Sequence, residues 1–326
     1  MTMKKIVALV MTIALLLTAA SAFADGEKTY RIGIIQFAEH GSLDNCRQGF
    51  IEGLAEEGFA DGVNVEFDIQ NAQADTAITA QIASVQAEKC DLICAIATPA
   101  AMAAYNVAEG AGIPVIYTAV SDPVAASLAN SDGTNPGQIT GTSDALPVEA
   151  QLKLIRAMMP QAKTIGILHT TSETNSDSTL AIYKALAPQY GFEIVDKGIS
   201  SGADLPMALD ALLPNVDCTT NLTDNTVVNY LAVVLEKSAE YGKPVFGSEI
   251  EQVKNGCVAS EGLEYVELGR QTGRMAARVL KGENAKDIPF ETISNSYLYV
   301  NTAAMAQFGL EMPEDLSERA NDVTAQ

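Results

Sequence analysis

Two groups of polar residues in this sequence have the types and spacing to hold a small charged molecule. The first half contains Thr98-Pro99-Ala100-Ala101 and Thr118-Ala119-Val120-Ser121-Asp122-Pro123, together with the run Gln36 to Asp44. A Thr or Asp followed by Pro reads as a helix start, because the side chain caps the helix and the Pro ring suits its first turn. Backbone N–H groups at such a start can hold an anion. Thr98, Ala100, Thr118 and Asp122 are therefore the expected contacts of a carboxylate. The second half contains Glu173-Thr174-Asn175-Ser176, Thr223-Asp224-Asn225-Thr226 and Ser248-Glu249. Asp224, helped by Glu173 and Asn175, is the expected holder of an ammonium. Asp44, Ser176, Asn225 and Glu249 complete the polar set, and Phe37, His40, Leu43 and Pro99 would surround the rest of the ligand. Each residue alone could be a simple helix cap. The set as a whole fits a zwitterion.

Catalytic chemistry finds little support. Gly198-Ile199-Ser200-Ser201-Gly202 matches G-x-S-x-G by letter, but His40 and His169 both precede it, whereas an α/β-hydrolase places its His after the Ser. No phosphate-binding G-x-x-x-x-G-K-[ST] is present, and no G-x-G-x-x-G follows a strand. The two His and five Cys have no metal-ligand spacing. No cofactor, metal or catalytic residue is expected. Cys46, Cys90, Cys94, Cys218 and Cys257 are odd in number. Cys90 and Cys94 flank one strand and would lie about 13 Å apart, too far for a disulfide. Their apolar neighbours fit small buried hydrophobes.

The elements that must position the polar groups alternate. Arg31–Gln36, Val63–Ile69, Leu92–Ala97 and Pro114–Thr118 read as strands. Ser42–Gly58, Thr76–Glu88 and a segment from Pro99 read as helices. This βαβα order implies a parallel sheet with helices on both faces. The pattern then restarts: Ile32-Gly33-Ile34-Ile35 recurs as Ile165-Gly166-Ile167-Leu168, Gly58-Phe59 as Gly191-Phe192, and Gly112-Ile113-Pro114-Val115 as Gly242-Lys243-Pro244-Val245. The expected architecture is α/β, with two Rossmann-like lobes of parallel sheets joined by several thin crossings that form a hinge. Residues 130–144 read as the first connection. A helix over 264–281 and a strand over 296–300 imply that the chain returns to the first lobe and leaves it again. The expected division is 25–142 plus 262–286 for the first lobe and 143–261 plus 287–326 for the second. Ligands of such sheets bind beyond the carboxyl ends of the strands, where both polar groups lie.

Composition narrows the classes further. With 326 residues, 48% apolar and 19% charged, the chain is of ordinary globular type. Its net charge of −21 repels phosphate backbones, so nucleic acid is not an expected partner. Lys4 and Lys5, the apolar run Ile6 to Leu17 and the small residues Ala22-Phe23-Ala24 read as a signal peptide cut after Ala24. Its removal takes away two lysines and no acid. No later stretch has the length of a membrane span.

Taken together, Leu43-Asp44 with Gly49-Phe50, Asn71-Ala72-Gln73, Thr98-Pro99-Ala100-Ala101, Ser121-Asp122-Pro123-Val124, Gly141-Thr142-Ser143-Asp144, Ser172 to Ser176, Thr223 to Thr226, Leu268 to Gly273 and Val300-Asn301-Thr302 closely resemble the ABC-transporter substrate-binding proteins of the type I periplasmic-binding fold. The similarity is to the branch related to tryptophan- and tyrosine-binding lipoproteins. It implies a two-lobed monomer that closes on a small solute, often an aromatic amino acid, and presents it to a membrane permease. Relatives of this branch often carry a lipid-anchoring Cys at the cleavage site. This chain has none there, so it is expected free in a periplasm. The alternatives are another small solute (a purine, sugar or peptide), a sensor, or a secreted hydrolase using Ser200. With 6% aromatics and no Trp, a sugar platform is disfavoured.

Overall fold

A computed structural model describes residues 28–293 and 295–324. The signal segment lies outside the described residues. The first part of the chain runs β1 (Tyr30–Gln36), α1 (Gly41–Glu56), β2 (Val65–Asn71), α2 (Thr76–Lys89), β3 (Leu92–Ile96), α3 (Thr98–Ala111), β4 (Val115–Thr118) and β5 (Ile139–Ser143). The second part runs α4 (Val148–Met158), β6 (Thr164–Thr170), α5 (Thr174–Leu186), β7 (Glu193–Ile199), α6 (Leu205–Leu212), β8 (Cys218–Thr220), α7 (Asn225–Asn229), α8 (Leu231–Glu240), β9 (Val245–Phe246), α9 (Ile250–Lys254) and β10 (Ala259–Gly262). The remainder is α10 (Tyr265–Leu280), β11 (Glu291–Thr292), β12 (Tyr297–Val300), α11 (Thr302–Gln307), α12 (Glu314–Ser317) and β13 (Ala320–Asp322).

The first sheet has the order β11-β5-β4-β3-β1-β2, and its pairs are parallel. Its central strand β3 is apolar and buried along its whole length, as a strand covered by helices on both faces must be. The second sheet has the order β7-β6-β8-β9. Gly247 N–H donates to Ala259 O (2.9 Å) and Val258 N–H to Val245 O (2.8 Å), which stitches β9 to β10 and its partners β12 and β13. The four strands β4-β3-β1-β2 of the first lobe and β9-β8-β6-β7 of the second therefore share one winding order. The sequence repeats fall at equivalent places in it. Ile32–Ile35 lies in β1 and Ile165–Leu168 in β6. Gly112 and Gly242, with φ of 70° and 64°, turn the chain towards β4 and β9. Such left-handed turns favour Gly.

Helix α10 returns to the first lobe and packs against α1 through reciprocal glycines. A Cβ on Gly49 would lie 2.0 Å from Val266 O, and one on Gly269 would lie 2.2 Å from Cys46 O. The close approach of these two backbones holds the returning helix in the first lobe. All five cysteines are free and buried.

Two expected boundaries move. Residues 139–143 of the anticipated connection form β5 inside the first sheet, because Val115, Ile116 and Tyr117 pair with Ile139, Thr140 and Gly141. The crossing starts at Asp144. The stretch 287–293 was expected in the second lobe. Instead Glu291 and Thr292 pair with Thr142 and Ser143 at the edge of the first sheet. The last crossing comes between β11 and β12. Among the described residues, no helix is long and apolar enough to cross a membrane.

Candidate ligand site between the lobes

The carboxyl ends of both sheets face one small, partly enclosed cavity. Its first-lobe wall is made by the starts of α1 and α3, which follow the neighbouring strands β1 and β3. His40 precedes α1 with extended φ and ψ of −154° and 160°, and no side chain caps that helix. Ala97 precedes α3 with φ of 84°, again without a side-chain cap. Ala119, after β4, has φ of 55°. Left-handed alanines at two neighbouring strand ends are strained and are retained where the backbone must take a particular direction. Ala97, Ala119, Ser42 and Leu43 all line the cavity. The helix starts bring first-turn N–H groups and positive dipole ends to this wall.

The opposite wall and the floor carry acids. Glu249 is 1% exposed and caps α9, accepting from Glu251 N–H (2.6 Å) and Gln252 N–H (2.9 Å). Burial pushes its carboxyl up to about 7, against the pull of these two donors. Asp144 sits at the first crossing and is 1% exposed. Its Oδ1 accepts from Ser121 Oγ (3.0 Å) and its Oδ2 from Tyr265 Oη (2.8 Å). Burial raises its carboxyl above the usual range as well. Each Asp144 oxygen has one such side-chain donor, and each can accept a second. Thr223, Asn225, Val228 and Gln252 complete the second-lobe wall.

The lobes touch across this cavity. Ser121 Oγ and Thr223 Oγ1 are 3.0 Å apart. His40 Nε2 lies 3.4 Å from Asn225 Oδ1, and Asn45 Nδ2 donates to Glu251 Oε1 at 3.3 Å. The lobes stand closed.

Of the residues expected from the sequence, His40, Leu43, Asn225 and Glu249 line this cavity. Phe37, Pro99 and Glu173 line a flanking groove. The others take different roles. Asp224 is completely buried and accepts from Thr170 N–H (2.5 Å), Thr170 Oγ1 (2.7 Å), Ser176 Oγ (2.7 Å) and Val227 N–H (2.9 Å). Four donors fill its lone pairs, so it is a scaffold carboxylate, and Ser176 is its partner. Glu173 accepts from Asn225 N–H and Nδ2, Asn175 Nδ2 and Thr226 N–H. Burial, and then the charge of Asp224, raise its carboxyl. Asn175 also donates to Thr223 O (3.0 Å) and so braces the loop before α7.

On the first-lobe side, Thr98 is the first residue of α3 and not its cap, and its buried hydroxyl has no partner. Ala100 is wholly buried in the same helix. Thr118 Oγ1 accepts from Thr142 Oγ1 (3.2 Å) in the first-lobe interior. Asp122 caps Ala125 N–H (2.9 Å) and lines a separate depression with Pro123 and Val124. Asp44 is held by Gln36 Nε2 (2.9 Å) and Arg47 (3.2 Å). The Ser200 string forms a turn in which Asp204 caps Ser200 N–H (2.9 Å), while His169 lies against Asp177 and Asp196 (3.5 and 3.3 Å). This is a loop and not a nucleophile elbow.

Sequence reasoning missed Ser42, Ala97, Ala119, Asp144, Thr223, Val228, Gln252 and Tyr265. Asp144 obeys the same rule as the others, since it directly follows a strand. Tyr265 arrives from the returning helix, and no local pattern marks it.

Comparison with known proteins fits this geometry. The family model described as "ABC transporter substrate binding protein" matches residues 31–324. A tyrosine-binding protein of Clostridioides difficile is 39% identical over 278 residues, 85% of this chain and 80% of the relative. A Streptococcus pneumonia ABC domain solved in complex with L-Trp is 31% identical, with a TM-score of 0.87 over 90% of this chain and 99% of that one. A ligand-free, open substrate binding protein of Clostridium difficile is 38% identical but has a TM-score of 0.69, over 91% of this chain and 100% of that one. The chain is nearer in sequence to the open structure yet superposes better on the L-Trp complex. By its fold, its interlobe cavity and the reach of the family match, the chain belongs to the ABC transporter substrate-binding proteins of the type I periplasmic-binding fold.

Proposed function

We propose that this protein binds an amino acid, preferably with an aromatic or apolar side chain, between its lobes and delivers it to a membrane permease. The observation that carries this reading is the cavity itself. It sets two helix starts without side-chain caps against the buried carboxylates Asp144 and Glu249. The ligand carboxylate sits at the start of α3, next to Ala97 and Ala119, where N–H groups and the helix dipole favour a negative charge. The ammonium sits on Asp144, whose oxygens each accept one further donor. The side chain extends towards Leu43, Val228, His40 and Glu249. The names of the Clostridioides difficile relative and of the L-Trp complex support an aromatic amino acid.

The bodies that close are the first sheet with α10 and β11, and the second sheet with α4 to α9, β12 and β13. Ligand bridges them and shifts the open–closed equilibrium. Location follows from the same reading. The signal peptide is cut after Ala24, and the mature monomer moves freely in a periplasm, because no lipid-anchoring Cys stands at the cut. Mass spectrometry of the exported protein tests this by a mature N-terminus at Asp25. Calorimetry of refolded, ligand-stripped protein against the twenty amino acids and common sugars tests the ligand. Heat with tyrosine or tryptophan is expected. No heat with any amino acid overturns the proposal.

A further inference from the structure

The contact between Asn45 and Glu251 crosses the cleft away from the ligand cavity. The contacts of His40 with Asn225 and of Ser121 with Thr223 instead include residues that line it. Glu251 stands in the first turn of α9 and, with Gly41, lines an adjoining depression. Its Oε1 accepts from Asn45 Nδ2 of α1 at 3.3 Å and pairs with Lys254 Nζ of its own helix at 3.2 Å. Its side chain also lies against Gly41, the first residue of α1. A Cβ on Gly41 would come within 2.8 Å of Glu251 Cγ and 3.2 Å of Glu251 Cβ. Gly41 is not one of the glycines with positive φ, so what it supplies here is space.

The start of α1 favours such a partner. This 16-residue helix begins without a side-chain cap, and the positive end of its dipole attracts an anion. Asp44, the acid of its first turn, is tied to Gln36 and Arg47. Glu251 brings a second carboxylate from the opposite lobe. Glu249, two residues earlier, lines the ligand cavity, caps α9 and accepts Glu251 N–H at 2.6 Å. The element that sets Glu249 against a ligand thus also sets Glu251 against α1. We infer that Glu251 is a closure latch: it clasps the start of α1 when the lobes meet, raises the affinity for every ligand alike and takes no part in choosing among them. Gly41 carries no side chain so that the latch can seat. Glu251 is a positioning residue, since it acts on the ligand only through the population of the closed state. The inference goes beyond the proposed function, because it holds for any small solute that closes the lobes.

The test is calorimetry and stopped-flow kinetics of ligand-stripped wild type, Gly41→Ala, Glu251→Ala and the double variant with tyrosine, tryptophan and phenylalanine. Gly41→Ala should weaken all bound ligands by one common factor of about fivefold or more, the effect of overpacking a contact. Glu251→Ala should weaken them by a smaller common factor. The losses should appear in the off-rate. They should not add: once Glu251 is truncated, a methyl at position 41 has less to strike, so the double variant should bind no worse than Gly41→Ala. Ligand-free Gly41→Ala should keep the Tm of wild type or exceed it, since Ala favours a helix over Gly, which separates a latch from a folding defect. Oxidation of Gly41→Cys/Glu251→Cys by oxidised glutathione reads the contact without any ligand. The two Cβ atoms lie near the separation a disulfide spans, and the five native cysteines are buried, so a cross-link within the monomer is expected. Losses that differ among the ligands or add in full, a lowered Tm of ligand-free Gly41→Ala, or no cross-link overturns the inference. If the cross-link forms while wild type binds no amino acid, the latch stands and the proposed function falls.

Discussion

The Tyr265 hydroxyl donates to Asp144 Oδ2 at 2.8 Å, joining the first residue of the first crossing to the first residue of the helix that follows the second. The contact places a buried carboxylate at the first crossing, on the wall of the interlobe cavity.

Asp144→Asn should therefore remove the ammonium partner while keeping the shape of the site. Leaving a buried charge unpaired costs about 2–5 kcal/mol, so amino-acid affinity should fall at least thirtyfold. Tyr265→Phe should cost less, since Asp144 keeps Ser121. Asp122→Asn, at a separate depression, should bind like wild type. Calorimetry of the three variants checks the order, and equal losses at Asp144 and Asp122 would refute the assignment.

Glu249 makes stability depend on pH. Its folded carboxyl titrates near 7, above the ordinary value of 4.5. The folded state thus binds the proton more tightly than the unfolded state. The stabilisation is complete below about pH 4.5 and is lost as pH rises through 7. The linkage amounts to roughly 3 kcal/mol at most. Glu249→Gln should match wild type in Tm near pH 4.5 and exceed it near pH 8. Parallel Tm–pH curves for the two proteins would rule this out.

Asp224 is predicted to act on folding. Asp224→Ala strands the N–H groups of Thr170 and Val227 and removes the cap of α7. Losses of this kind reach about 2–4 kcal/mol together. Denaturant unfolding should show this drop without ligand present. Full stability with lost binding would instead return Asp224 to direct ligand contact.

The α1–α10 interface should not tolerate a methyl group. Gly269→Ala puts a Cβ 2.2 Å from Cys46 O, whereas nothing lies within 4 Å of a Cβ on Gly110. Overpacking costs typically about 1–3 kcal/mol, so Gly269→Ala should lower Tm by several degrees. Gly110→Ala, in a helix, should be neutral or slightly stabilising. Thermal unfolding of the two variants decides it.

Much of this protein can be read directly from its residues. The apolar strand runs, the glycines that stop helices and the repeated Ile-Gly-Ile string are local features, and they determine two lobes of one winding order. The rule that polar residues after strands gather at a cleft located His40, Leu43, Asn225 and Glu249. It could not rank the acids. Asp224 and Asp144 both follow strands closely, and their sequence neighbourhoods do not tell them apart. Asp224 turns into its own lobe because β6 and β8 are adjacent, which places Thr170, 54 residues away, in reach of its oxygens. Asp144 meets Tyr265, 121 residues on, because α10 returns to the first lobe. The sequence by itself determined the lobes, the cleft and the chemical types at its rim. Only the tertiary structure decided which carboxylates are satisfied within the scaffold and which retain lone pairs for a ligand, because a buried acceptor's capacity is set by the donors that folding brings to it from distant parts of the chain.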